Sequence, residues 1–161
     1  MSGRGGQIHF FNPFMDHITA AGLKQVWLEN HTPGHQPAFP FAGRAFVCVL
    51  WNNVKDSLSP EPITQLLNAN CKYIVAGGHD SEKWHDLADH LFISRYPDYA
   101  PPDSEHVMTT WHQDEPLEEV LWFGLNNTDF DDYRFTDYLV LQIGECYSPE
   151  YIGKLIDGLV S

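Results

Sequence analysis

From Ala45 onward, short apolar runs alternate with amphipathic stretches that open on turn residues, and no other feature restricts the fold of this chain as tightly. Residues 46–51 (FVCVLW), 73–76 (YIVA) and 138–143 (YLVLQI) are strand-length and almost free of polar side chains, the pattern of strands covered on both faces. A further strand is expected around residues 106–111. Between these runs, apolar residues recur at helical spacing: Ile63, Leu66 and Leu67; Trp84, Leu87, Ala88, Leu91 and Phe92; Leu117, Val120, Leu121 and Leu125; Ile152, Leu155, Ile156 and Leu159. Ser59-Pro60-Glu61 and Ser148-Pro149-Glu150 each place a capping hydroxyl before a proline, whose missing N–H costs nothing at a helix start. Pro116 opens the helix of Leu117, and Asp80 is placed to cap the helix of Trp84.

Strands that alternate with helices predict a parallel sheet joined by crossover connections. The expected class is therefore α/β, a three-layer Rossmann-like or flavodoxin-like sandwich with a mainly parallel sheet of about four core strands. A strand order of 2-1-3-4 is expected. It would set the ends of the first and third strands side by side where the order reverses, the usual ligand position in such sheets.

Residues 1–44 lack this alternation. Residues 1–7 are Gly-rich and read as a mobile tail, Pro13 is positioned to lead a short helix over the stretch that follows, and residues 25–28 suit helix or strand equally. Residues 31–43 (HTPGHQPAFPFAG) read as irregular. The expected organisation is a tail and lead-in over residues 1–44, packed on an α/β domain over residues 45–161.

Nine Lys and Arg stand against 22 Asp and Glu, a formal charge of −13. Such a surface repels phosphate backbones and anionic lipid, so neither a nucleic acid nor a membrane is an expected partner. A basic protein remains compatible with it. Three cysteines without a Cys-x-x-Cys spacing suggest buried free thiols at Cys48 and Cys71, and no apolar run has the length of a membrane span or secretory signal. The expected location is the cytoplasm.

A parallel sheet brings every strand-to-helix turn to one rim. Residues 107–123 (VMTTWHQDEPLEEVLWF) hold the richest such turn, and Asn52, Gly77, Gly78, His79, Asp80, Trp111 and Glu115 are the candidate ligand-binding residues around it. Glycines 77 and 78 permit close backbone approach, although their spacing matches neither a dinucleotide fingerprint nor a P-loop. If the rim is catalytic, His112 is the natural general acid or base, oriented by Asp114 or Glu115. The plain alternatives are helix caps for the aspartates, an ordinary turn for the glycines and packing for the tryptophans. His31 and His35 sit in a Pro-Gly loop, so no metal is expected there, and no cofactor is specified.

Residues 71–89 (CKYIVAGGHDSEKWHDLAD) and 107–123 resemble a bacterial family of small acidic proteins known only as a domain of unknown function, with a Met-Thr-Thr-Trp-His-x-x-Glu-Pro-Leu motif spanning Met108 to Leu117. The resemblance covers roughly the C-terminal two thirds. Gly77 departs from it, standing where a tryptophan is common, whereas Asp80 agrees. It implies a bacterial intracellular protein and brings no activity with it. Two functions follow as expectations: a small polar ligand, nucleotide- or sugar-like, held at the rim, or docking of a basic protein by an acidic immunity or accessory subunit.

Overall fold

The computed structural model describes residues 15–21 and 23–160. Its elements are β1 (Asp16–Ala21), β2 (Lys24–Asn30), β3 (Phe46–Asn52), α1 (Pro60–Asn68), β4 (Cys71–Gly78), α2 (Ser81–Ile93), β5 (Met108–His112), α3 (Leu117–Asn126), β6 (Asp137–Ile143) and α4 (Pro149–Val160), with two short 3-10 turns between α2 and β5. They form a mixed α/β fold around one six-stranded sheet in the order β1-β2-β6-β3-β4-β5. β2, β6, β3, β4 and β5 are mutually parallel, and β1 is antiparallel to β2.

The continuous apolar runs became the central strands for the expected reason. Every residue of β6 is buried, and in β3 only Trp51 is not fully so. Complete burial of a residue such as Leu50, Ile74 or Leu139 contributes about 2 kcal/mol each. Period-two alternation sends neighbouring side chains to opposite faces. Cys48, Leu50, Ile74 and Ala76 pack with Ile63 and Leu66 of α1 and Trp84 and Ala88 of α2. Val47, Val49, Tyr73 and Val75 pack with Val120 and Leu121 of α3 and Ile152 and Ile156 of α4. Cys48 and Cys71 are buried free thiols, and burial pushes both above the usual thiol range.

Three expectations are corrected. The sheet has six strands rather than about four, because β1 and β2 join it as an antiparallel pair; the helix expected near the start of this stretch is strand β1, and the ambiguous residues 25–28 are strand β2. Pro13 and the glycine-rich residues lie outside the described residues. The order 2-1-3-4 is also wrong: the four expected strands stand as fourth, first, second, third. From the edge strand β5 the chain returns through α3, which packs over β4 and β3, and enters the sheet again on the far side of β3. Finally, the caps divide. Ser59 Oγ accepts the Glu61 N–H at the start of α1, but Asp80 makes no side-chain cap on α2.

Candidate functional site

The carboxyl ends of β3, β4, β5 and β6 share one rim, and the faces on which their helices pack decide where that rim opens. β3 and β4 lead to α1 and α2 on one face, while β5 and β6 lead to α3 and α4 on the other. Neighbouring connections therefore part company twice, between β6 and β3 and between β4 and β5. A parting of this kind is where open α/β sheets leave room for a ligand.

Between β6 and β3 the room is filled. Asn52 is 1% exposed; its Nδ2 donates to the His79 carbonyl at 2.8 Å, and its Oδ1 accepts from the Val54 N–H at 3.2 Å and the Ser57 hydroxyl at 3.0 Å. The Asn53 N–H reaches across to the Ile143 carbonyl at 3.0 Å. Val54 lies against Gly144, where a Cβ would meet Val54 Cγ2 at 2.0 Å. Asn52 thus clamps the loops and has no free amide atom to offer. The two glycines are consumed similarly: a Cβ on Gly77 would sit 2.9 Å from the Trp51 ring, and one on Gly78, whose φ is +80°, 2.2 Å from the Asn52 carbonyl oxygen.

Between β4 and β5 the room stays open. A cleft of about 320 Å³ is lined by Gly78, His79, Asp80, Ser81, Glu82, Lys83, Gln113 and Asp114. Each of its two turns carries an aspartate in the left-handed region, Asp80 at φ 59° and Asp114 at φ 61°, a conformation that aspartate tolerates better than most residues. Asp80 Oδ2 accepts the Asp56 N–H at 2.9 Å, tying the β3–α1 loop to the cleft wall. The first N–H groups of α2 have no intrahelical partner, and Ser81 Oγ, buried at the same helix start, has no hydrogen-bond partner among the described residues.

β5 splits the remaining candidates. Trp111 turns toward α2, its ring 4.5 Å from that of His85. His112 turns toward α3, 8% exposed, with its ring centroid 4.4 Å from that of Phe123. Its Nδ1 is 3.1 Å from Glu115 Oε2 and its Nε2 is 3.0 Å from Thr110 Oγ1, two residues earlier on the same face. The Tyr73 hydroxyl, raised above its ordinary pKa by burial, joins the same chain through Thr110.

Gly78, His79, Asp80 and Asp114 therefore meet at one cleft, and His112 meets Glu115 on the opposite flank of β5. Asn52, Gly77 and Trp111 belong to neither group. Ser81, Glu82, Lys83 and Thr110 escaped the sequence reading, which placed Gln113 in the rim turn without singling it out. Strand alternation carried the signal for Thr110 and for the separation of Trp111 from His112, since adjacent strand residues cannot share a face.

A second polar cluster lies where β2 ends. His35 Nε2 is 4.0 Å from Glu29 Oε2, and His31 Nε2 is 3.5 Å from Glu61 Oε1. Burial, with Asp16 adding repulsion, pushes Glu29 up to about 7, and burial lowers His31. The cavity between them holds only about 10 Å³, the space of one water. Among the described residues no group of three or more His, Cys, Asp and Glu side chains is arranged to hold a metal ion, and no helix is long and apolar enough to cross a membrane.

A family model described as Domain of unknown function (DUF7684) matches residues 25–157. The chain belongs to that family. The DUF7684 match starts within β2 and ends within α4, so it takes in all five parallel strands and both partings of the rim. No curated protein and no solved structure matches this chain.

Proposed function

We propose that this DUF7684 domain binds a small hydroxyl-rich ligand, nucleoside- or sugar-like, in the cleft between β4 and β5. The observation that carries the reading is the open 320 Å³ space between two turns whose helices pack on opposite faces. Its volume suits a small molecule. Donors and acceptors are both present: the free N–H groups at the start of α2 and Lys83 donate, and the Asp114 carboxylate, which makes no hydrogen bond among the described residues, accepts. Hydroxyl groups satisfy both kinds of partner. Asp80, Glu82 and Asp114 outnumber Lys83, so a bare polyphosphate would need an accompanying cation.

In this reading the fold is a three-layer, Rossmann-like sandwich of a cytoplasmic, acidic bacterial protein, with the β1–β2 pair added at one edge. The function is binding; no reaction step is assigned to His112, which faces the other flank of β5. His79 and Asp114 contact the ligand, and Asn52 and Gly78 position the turn that presents His79.

Thermal-shift measurement against a panel of nucleosides, nucleotides and sugars tests this. A stabilising compound is expected for the native chain, with its shift at least halved by Asp114→Asn and by His79→Ala and unchanged by Glu118→Gln on α3. A panel without any stabilising compound, or stabilisation indifferent to both cleft substitutions, overturns the proposal.

A further inference from the structure

The outer side of α3 carries a second feature, independent of the cleft. Glu115, Glu118, Glu119, Trp122 and Phe123 together with Leu159 of α4 line a groove of about 440 Å³. Glu118 and Trp122, like Glu119 and Phe123, are four residues apart and so stand one above the other, which sets a band of carboxylates directly beside a band of aromatic rings. Trp122 is 44% exposed. No Lys or Arg lines the groove, and neither Glu118 nor Glu119 has an ion pair among the described residues. Carboxylates in the first turn of a helix are favourable on their own account. That accounts for the acids but not for a tryptophan left half in water beside them.

We infer that this groove docks a short basic segment of a partner protein, one that presents a Lys or Arg next to an apolar side chain. The charge decides the occupant: three unneutralised or partly neutralised carboxylates on a chain of net charge −13 select a cation and repel a second copy of the chain. The rings select what carries that cation. A Lys or Arg stem covers aromatic surface while its head remains among carboxylates, and Trp is the strongest ring for a cation. The small size matters too. Six residues cannot form a standard interface of about 800 Å² per partner, so Trp122 acts as the anchor of a short segment.

Titration calorimetry with two peptides of equal positive charge, an amphipathic Lys/Leu peptide and a Lys/Ser peptide, tests the inference. The Lys/Leu peptide is expected to bind the native chain at least tenfold more tightly. Trp122→Ala should erase that preference, and Glu118→Gln with Glu119→Gln should weaken both peptides and flatten the salt dependence. Asp114→Asn should change neither, which separates failure here from failure at the cleft. If Trp122→Ala does not fold, Trp122→Lys, which keeps a long side chain and reverses the attraction, takes its place. Equal binding of the two peptides would show charge attraction alone and overturn the inference. So would a preference that survives loss of Trp122, self-association of the native chain that this substitution abolishes, or binding of benzyltrimethylammonium as tight as that of the Lys/Leu peptide.

Discussion

The rim parts twice, and the two partings end differently. Between β6 and β3 the loop residues turn inward: Asn52 binds three partners, Asn53 bonds to the far strand and Val54 covers Gly144. Between β4 and β5 the polar side chains face an open cleft, and one turn is held from behind by Asp80 on the Asp56 N–H. A parting of the helices to opposite faces therefore does not by itself make a site. What separates the two partings is whether each turn's hydrogen-bonding groups are spent on the protein itself.

Substitutions can break this contrast. Gly78→Ala has the largest expected effect, a loss of about 3 kcal/mol in denaturant unfolding, because a left-handed φ and a carbonyl 2.2 Å from the new Cβ leave nothing flexible to yield. Asn52→Ala should cost about 2 kcal/mol by stranding the Val54 N–H and the His79 carbonyl. Gly144→Ala sets its Cβ 2.0 Å from Val54 Cγ2 and 3.2 Å from Val54 Cβ at a φ of +84°; the stiff valine cannot rotate clear, but Val54 is exposed and its loop can move outward, so about 1.5 kcal/mol is expected. Asp114→Asn keeps the left-handed preference and should alter stability by under about 0.5 kcal/mol, read in the same unfolding experiment. If Asp114→Asn destabilised as much as Asn52→Ala, the open cleft would be as structurally committed as the filled one, and the contrast would collapse.

Much of the fold was legible because burial on both faces writes itself as uninterrupted apolar runs, as in β3 and β6. β2 was harder. Its KQVWLEN buries only Val26 and Leu28 fully, a pattern too short to tell strand from helix. Strand order was not legible at all, since parallel neighbours are chosen by where the α3 connection lands rather than by any local pattern. For the site, meeting of the turns at one rim followed from parallelism. Whether a polar residue there faces the cleft or the protein did not. Asn52 ends a strand and Asp114 follows one, both polar, and only the packing of Val54 on Gly144 shows which turn had space to close.

Glu29 gives the chain a stability that drifts with acidity. Its carboxyl keeps a proton up to about pH 7 when folded and releases it near 4.5 when exposed. The native form thus holds the extra proton across that interval, and stability drains away as the medium becomes less acid, by at most about 1.4 kcal/mol per pH unit and with no further loss above neutrality. Replacing Glu29 by Gln should remove that slope from melting curves recorded between pH 5 and 8. Near neutrality, then, the corner where β2 ends is a small proton reservoir, filled or emptied by modest changes in its surroundings.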